Sequence, residues 1–168
     1  MPIKIVGQDS GRERDAASYL VSVIEPELNE GDDFIVVVGA KCYGQIRQDI
    51  DLLVFGDFQP PLELTGRTSG KPEFLSSFVI ALEVKDHRPG DVRFTGNQVE
   101  VRYDGKWSNV THATFEQRFS VKNFFEANGR RSPFVISAIW LRNLHRAELP
   151  TSASDILVGN PTAKDLWA

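Results

Sequence analysis

The stretch Phe78-Val79-Ile80-Ala81-Leu82-Glu83-Val84-Lys85 is a continuous apolar run that ends abruptly in a carboxylate and an ammonium. A short apolar run rich in β-branched residues reads as a buried strand, here with a charged end. Its mate is Gln48-Asp49-Ile50-Asp51-Leu52-Leu53-Val54-Phe55, where the acids come first and the apolar run follows. Antiparallel pairing brings an acid-headed strand and an acid-ended strand together at one edge. Setting Asp51 opposite Glu83 also sets Phe55 opposite Val79, so the two apolar runs fall into register. Side chains alternate along a strand, which puts Glu83 and Lys85 on one face and Val84 on the other. Asp51, Glu83 and Lys85 are therefore expected to converge at one edge of a sheet.

The flanking sequence supplies helices and further strands. Ser10 followed by Glu13 fits a capping box, Ala16, Ala17, Leu20, Val21 and Ile24 recur at helical spacing, and Pro26 stops the helix. Phe34–Val38 reads as a strand, with a loop over Gly39–Gly44. Gly56–Ser77, with Pro60-Pro61, reads as an extended and mobile connection between the two central strands. Val92–Thr95 and Gln98–Tyr103 form a hairpin hinged at Gly96-Asn97, with a turn at Asp104-Gly105. Thr111 or Thr114 caps a second helix through Phe115, Phe119, Val121 and Phe125 to a stop at Gly129. Phe134–Leu141 is another apolar strand, and Ile156–Val158 is a short one. This order predicts an α/β sandwich with a mixed central β-sheet flanked by helices.

At 168 residues the chain is long enough to bury one real core, and its 41% hydrophobic and 25% charged content is ordinary for a globular domain. A net charge of -4 does not announce nucleic-acid binding, although a local basic groove is compatible with it. One cysteine, Cys42, excludes an internal disulfide framework and suits a reducing, cytoplasmic setting. No apolar run is long enough to span a bilayer, and no signal core follows Met1.

The chemistry follows from the clustered acids. Magnesium or manganese takes hard oxygen ligands and binds through one or two carboxylates, water and substrate phosphate. Asp51, Glu83 and the carbonyl of Val84 would supply such a set, and Lys85 would orient water and stabilise charge in phosphodiester hydrolysis. The plain alternative is an ion pair of Lys85 with Glu83 or Asp51 at a sheet rim, which is common and contributes little. Asp49, Asp51 and Glu83 together carry more negative charge than Lys85 balances, which favours a cation. Lys85, Arg88, Arg93 and Arg102 cluster in sequence around this place. Arg118 and Lys122 lie one helical turn apart, and Arg130-Arg131 follow the helix; such groups can track a phosphate backbone.

Five elements in order, Gly11-Arg12-Glu13, Ile50-Asp51, Leu82-Glu83-Val84-Lys85, Asp104-Gly105-Lys106-Trp107 and Gln117, resemble the nuclease-related domain (NERD) of the PD-(D/E)XK nucleases. The resemblance covers Ser10 to Asn128, within a nuclease-like domain over 1–142, leaving 143–168 as an extension towards a further domain. It implies a restriction-endonuclease-like fold and a magnesium- or manganese-dependent deoxyribonuclease serving DNA repair, processing or defence. It also implies that Glu13 faces the metal site from the first helix and that Gln117 stands beside the catalytic strand.

The remaining residues each have a plainer reading. The capping box accounts for Glu13, an exposed helix position for Gln117, packing for Trp107, and a solvated neighbour for Asp49. His87 reads as a surface residue or an accessory base. Nucleic-acid-binding candidates are Arg88, Arg118 and Lys122. The rival function is a non-catalytic module binding nucleic acid or protein, including an accessory domain of a larger helicase-like protein.

Overall fold

The computed structural model describes residues 3–65, 70–150, 156–163 and 165. Among these residues nine strands form two sheets. The larger has the order β1 (Ile3–Gly7), β2 (Asp33–Lys41), β3 (Asp49–Thr65), β4 (Pro72–Lys85), β8 (Val135–Leu141) and β9 (Ile156–Val158). The smaller contains β5 (Val92–Thr95), β6 (Gln98–Tyr103) and β7 (Lys106–Asn109). The large sheet is mixed: β2, β3 and β4 run antiparallel, while β1–β2, β4–β8 and β8–β9 are parallel pairs. The expectation of an α/β arrangement around a mixed central sheet is met. Among the described residues no helix is long and apolar enough to cross a membrane.

Strand alternation builds a separate core on each face. Leu52, Val54, Phe78, Leu82 and Val84 point to one side, where α1 (Arg12–Ile24) lays down Ala16, Ala17, Leu20 and Ile24. Leu53, Val79 and Ala81 point to the other, where α2 (Val110–Ala127) contributes Val121. Beside α2, the small sheet buries Val99 and Val101 against Ile139 and Leu141 of β8. Phe55 pairs with Val79 and Leu52 with Leu82, the register read from the two apolar runs. The ladder ends at that pair, and beyond it the Asp51 side chain accepts from Val84 N.

Several local expectations are corrected. The first helix is not capped by Ser10. Gly11 occupies the N-cap at φ 101, a left-handed backbone that glycine adopts without a Cβ penalty, and the helix start has no side-chain cap hydrogen bond among the described residues. Strand β2 passes through Gly39 to Lys41, because Ala40 and Lys41 still pair with Ile50 and Asp49, so the loop shortens to 42–48.

Most of Gly56–Ser77 is strand. β3 and β4 continue outward as a hairpin, and the register slips between Asp57 and Leu62. Pro60-Pro61, with no N–H to donate, sits in that irregularity. The Asp32 carboxylate holds the place by accepting from the Gln59 and Asn29 backbone N–H groups at 2.7 Å each. Residues 66–69 lie outside the described residues, as do 151–155, 164 and the Leu166-Trp167 end expected to lead towards a neighbour.

The cap of α2 is Asn109, whose side chain accepts from His112 N at 3.0 Å. Thr111 instead accepts from Val99 N, and Thr114 donates to the Val110 carbonyl. Strand β7, which carries Trp107, was not anticipated beyond its leading turn. The helix stop at Gly129 is as expected.

Gly56 pairs with Phe78, whose ring lies over it and packs against Phe34 and Phe58. A methyl at this position would overlap the Phe78 ring, which is 4% exposed and hemmed in by the other two. Gly56→Ala is expected to destabilise the fold by about 1 to 3 kcal/mol through overpacking. Urea denaturation checks this, with a lowered midpoint at unchanged slope as the expected outcome.

Candidate active site

The acid-headed start of β3 and the charged end of β4 meet on the α2 side of the large sheet. Val84 N donates to Asp51 Oδ2 at 2.8 Å, locking the two strand ends together. Lys85, only 7% exposed, bonds Glu83 Oε1 and lies 4.0 Å from Asp51 Oδ2. Both arrangements follow from alternation, which sends Asp51, Glu83 and Lys85 to one face while the Val84 side chain enters the core under α1.

Gln117 is a correction to the exposed-helix reading. It is 5% exposed and donates from Nε2 to Glu83 Oε2 at 2.6 Å and to the Asp49 carbonyl at 3.2 Å. Thr114, Gln117, Ser120 and Val121 form the buried stripe of α2, and Gln117 is the member lying over the β3 and β4 ends. Its Oε1 is buried without a hydrogen-bond partner among the described residues.

Glu13 reaches the same rim from α1. Burial pushes its carboxyl up, but the hydrogen bond from Arg12 and the charges of Arg12 and Lys85 bring it below its ordinary value. Burial, then the negative charge of Glu83, pushes Asp51 the other way, up to about 6, against the opposing pull of Lys85 and the Val84 N–H. Burial disfavours the charged Lys85, but Glu83 and Asp51 outweigh it and raise its pKa. The rim therefore holds three acids around one buried ammonium.

His87 is not simply a surface residue. It is half-buried, its ring meets Tyr103 edge-on at 4.7 Å, and its Nδ1 is buried with no partner among the described residues. Burial, then Lys85, lowers its pKa, which keeps the ring neutral. Asp49 points outward and pairs with Lys41. Trp107 packs under the guanidinium groups of Arg93 at 4.3 Å and Arg102 at 5.6 Å.

The basic candidates are less concentrated than the acids. Arg88 is exposed in the turn beyond β4. Arg118 lies beside the Phe119 ring at 5.9 Å, and Lys122 is exposed on the outer side of α2. None of the three makes a hydrogen bond or ion pair with the acids among the described residues.

Sequence reading missed Arg12, Asp86, Tyr103, Arg142 and Asn143. Arg12 Nε lies 3.7 Å from Asp86 Oδ2, and Arg142 Nη1 lies 3.5 Å from Asp86 Oδ1. Asn143 Nδ2 donates to the Asp86 carbonyl at 2.7 Å. The available signal was positional: Arg142 follows its apolar strand as Asp86 follows the charged end of β4, and the parallel β4–β8 pair aligns those ends.

The donor set suits a hard divalent cation of the magnesium type. No group of three or more His, Cys, Asp and Glu side chains is placed to hold a metal among the described residues. A cation here would rest on Asp51 and Glu83, with the Val84 carbonyl, waters and substrate oxygens completing the shell. Asp51 Oδ1 has no protein partner among the described residues, and the unmet Gln117 Oε1 can accept from a cation's water. Comparison with family models, curated proteins and solved structures finds no match.

Proposed function

We propose that this chain is a magnesium- or manganese-dependent nuclease of restriction-endonuclease-like fold that hydrolyses phosphodiester bonds, DNA before RNA. The observation carrying this reading is the convergence of Glu13, Asp51, Glu83, Lys85 and Gln117, from two helices and two strands, on one rim. Such a cluster is costly to fold as a mere ion pair, since burial and Glu83 hold Asp51 at about 6. The resemblance to nuclease-related domains points the same way, towards DNA repair, processing or defence in the cytoplasm.

A bound magnesium or manganese ion supplies activated water and neutralises charge on the phosphoryl oxygens. Asp51 and Glu83 would hold it, with the Val84 carbonyl. Lys85, kept protonated by its acids, orients water and stabilises the charge that develops on the phosphorus oxygens. Gln117 fixes the Glu83 carboxylate and ties it to the β3 backbone. Glu13, ionised beside Arg12, adds negative charge to the cation's surroundings.

One observation favours a second reading. Both Glu83 oxygens already have protein partners, Lys85 and Gln117, as in a self-satisfied cluster shaping a non-catalytic nucleic-acid-binding module. A panel of Mg²⁺, Mn²⁺ and Ca²⁺ against single- and double-stranded DNA and RNA separates the two. Cleavage is expected with Mg²⁺ or Mn²⁺, and loss by about 100-fold or more in Glu83→Gln. Salt-dependent DNA binding without cleavage under any of the metals would leave the binding module as the function.

A further inference from the structure

Beyond the acids, the rim carries a second, cationic feature. Arg12 and Arg142 each approach a different Asp86 oxygen, at 3.7 and 3.5 Å, too long for the paired hydrogen bonds of a saturated arginine–carboxylate fork. Arg12 spends donors on Glu13 Oε1, at 3.2 and 2.7 Å. Arg142 donates no side-chain hydrogen bond among the described residues. Its guanidinium lies 5.6 Å from the Trp140 ring, and its side chain is 28% exposed.

The positions of these groups are fixed by backbone. Arg142 N donates to the Lys85 carbonyl at 2.9 Å, and Asn143 holds the Asp86 carbonyl. Arg142 therefore stands one residue beyond the β4–β8 ladder, at a set offset from Lys85. Glu13, Asp51, Glu83 and Asp86 face Arg12, Lys85 and Arg142, one negative charge in excess. A divalent cation turns that excess into one net positive charge, which attracts a phosphate backbone.

We propose that Arg12 and Arg142, drawn together by Asp86, form a clamp for a nucleic-acid backbone phosphate next to the one that is cleaved. The proposal rests on the nuclease reading and names how the substrate is held there. Asp86 keeps both guanidinium groups in place while the site is empty of substrate, and the phosphate then takes over their free donors. Planar guanidinium groups match phosphate geometry, and an exposed Arg12 with a half-buried Arg142, both with unused donors, lose little on being handed from Asp86 to phosphate.

The test is binding of a short labelled DNA duplex in Ca²⁺ across a salt series. Each phosphate contact contributes about one to the slope of log affinity against log salt. Arg142→Gln and Arg12→Gln are each expected to weaken binding and to lower that slope by about one. Arg142→Lys, which keeps the charge, is expected to retain the slope, and Asp86→Asn to bind more tightly than the parent. Thermal melting confirms that each variant is folded.

Parent slope in both glutamine variants overturns the clamp, as does a parent that binds no duplex. A parent that never cleaves, but loses slope in those variants, keeps the clamp and discards the nuclease. A parent that cleaves, with variants at parent slope and parent KM, does the reverse.

Discussion

Lys85→Met is expected to lose cleavage by about 10²- to 10³-fold while retaining DNA binding in Ca²⁺. Methionine keeps the length and volume of the stem in a position that is 7% exposed, and removes only the ammonium. That ammonium is the single cation bonded to Glu83 and the one within 4.0 Å of Asp51 among the described residues. Its loss removes the group placed to stabilise developing charge, and leaves two carboxylates facing each other.

The same change has a stability signature. Breaking a buried pair by removing one partner costs about 3 to 5 kcal/mol when the remaining charge is stranded. The cost is smaller at acidic pH, where Asp51 carries a proton and needs no partner. Lys85→Met should therefore melt closer to the parent at pH 5 than at pH 8. Single-turnover cleavage measured below the melting temperature separates chemistry from unfolding. Parent-like turnover in the variant would make Lys85 an ion-pair partner and nothing more.

The contrast between Lys85 and Gln117 shows how far a sequence can be read. Two apolar runs of opposite polarity, Asp49–Phe55 and Phe78–Lys85, align in one way that buries both, so the pairing of Phe55 with Val79 and the meeting of the charged strand ends follow from elementary alternation. Gln117 looks like any polar residue on a helix surface. Its burial depends on α2 crossing the strand ends, a tertiary fact with no local trace. The outer part of the β3–β4 hairpin was hidden for another reason. Pro60-Pro61 and a register slip break the two-residue alternation that marks a strand, and Leu62 and Leu75 pair only after the slip.

Arg142 illustrates a third limit. Parallel neighbours β4 and β8 are far apart in sequence, and the adjacency of their ends is set by the crossover through the small sheet and α2. Ser10 illustrates a fourth. Its capping-box spacing was right by pattern, but Gly11 offered the positive φ that the chain needed to enter α1, and the helix began one residue later than that box requires.

Asp51→Asn is expected to stabilise the metal-free protein at neutral pH, by an amount that fades as the pH falls. The Asp51 pKa is raised from 3.8 to about 6 in the folded state, by burial first and by Glu83 second. A carboxyl with a raised folded pKa binds its proton more tightly folded than unfolded. Its favourable contribution is complete below the unfolded value of 3.8 and is lost as the pH rises through about 6. At pH 7.5 the parent has therefore given up on the order of 2 to 3 kcal/mol relative to a neutral isostere, at 1.36 kcal/mol per unit. Asparagine stays neutral and can still accept the Val84 N–H, so its stability lacks this component. The parent-minus-variant difference in urea-derived stability should be near zero at pH 4 and reach its full size by pH 7.5. Mg²⁺ offsets this difference. It binds the ionised folded carboxylate, and at about 100 times its Kd would restore about 2.7 kcal/mol to the parent at pH 7.5 and far less to the variant. Parallel pH profiles for the two proteins would mean that Asp51 titrates as an ordinary exposed carboxylate, and the strained acidic pair at the heart of this site would not exist.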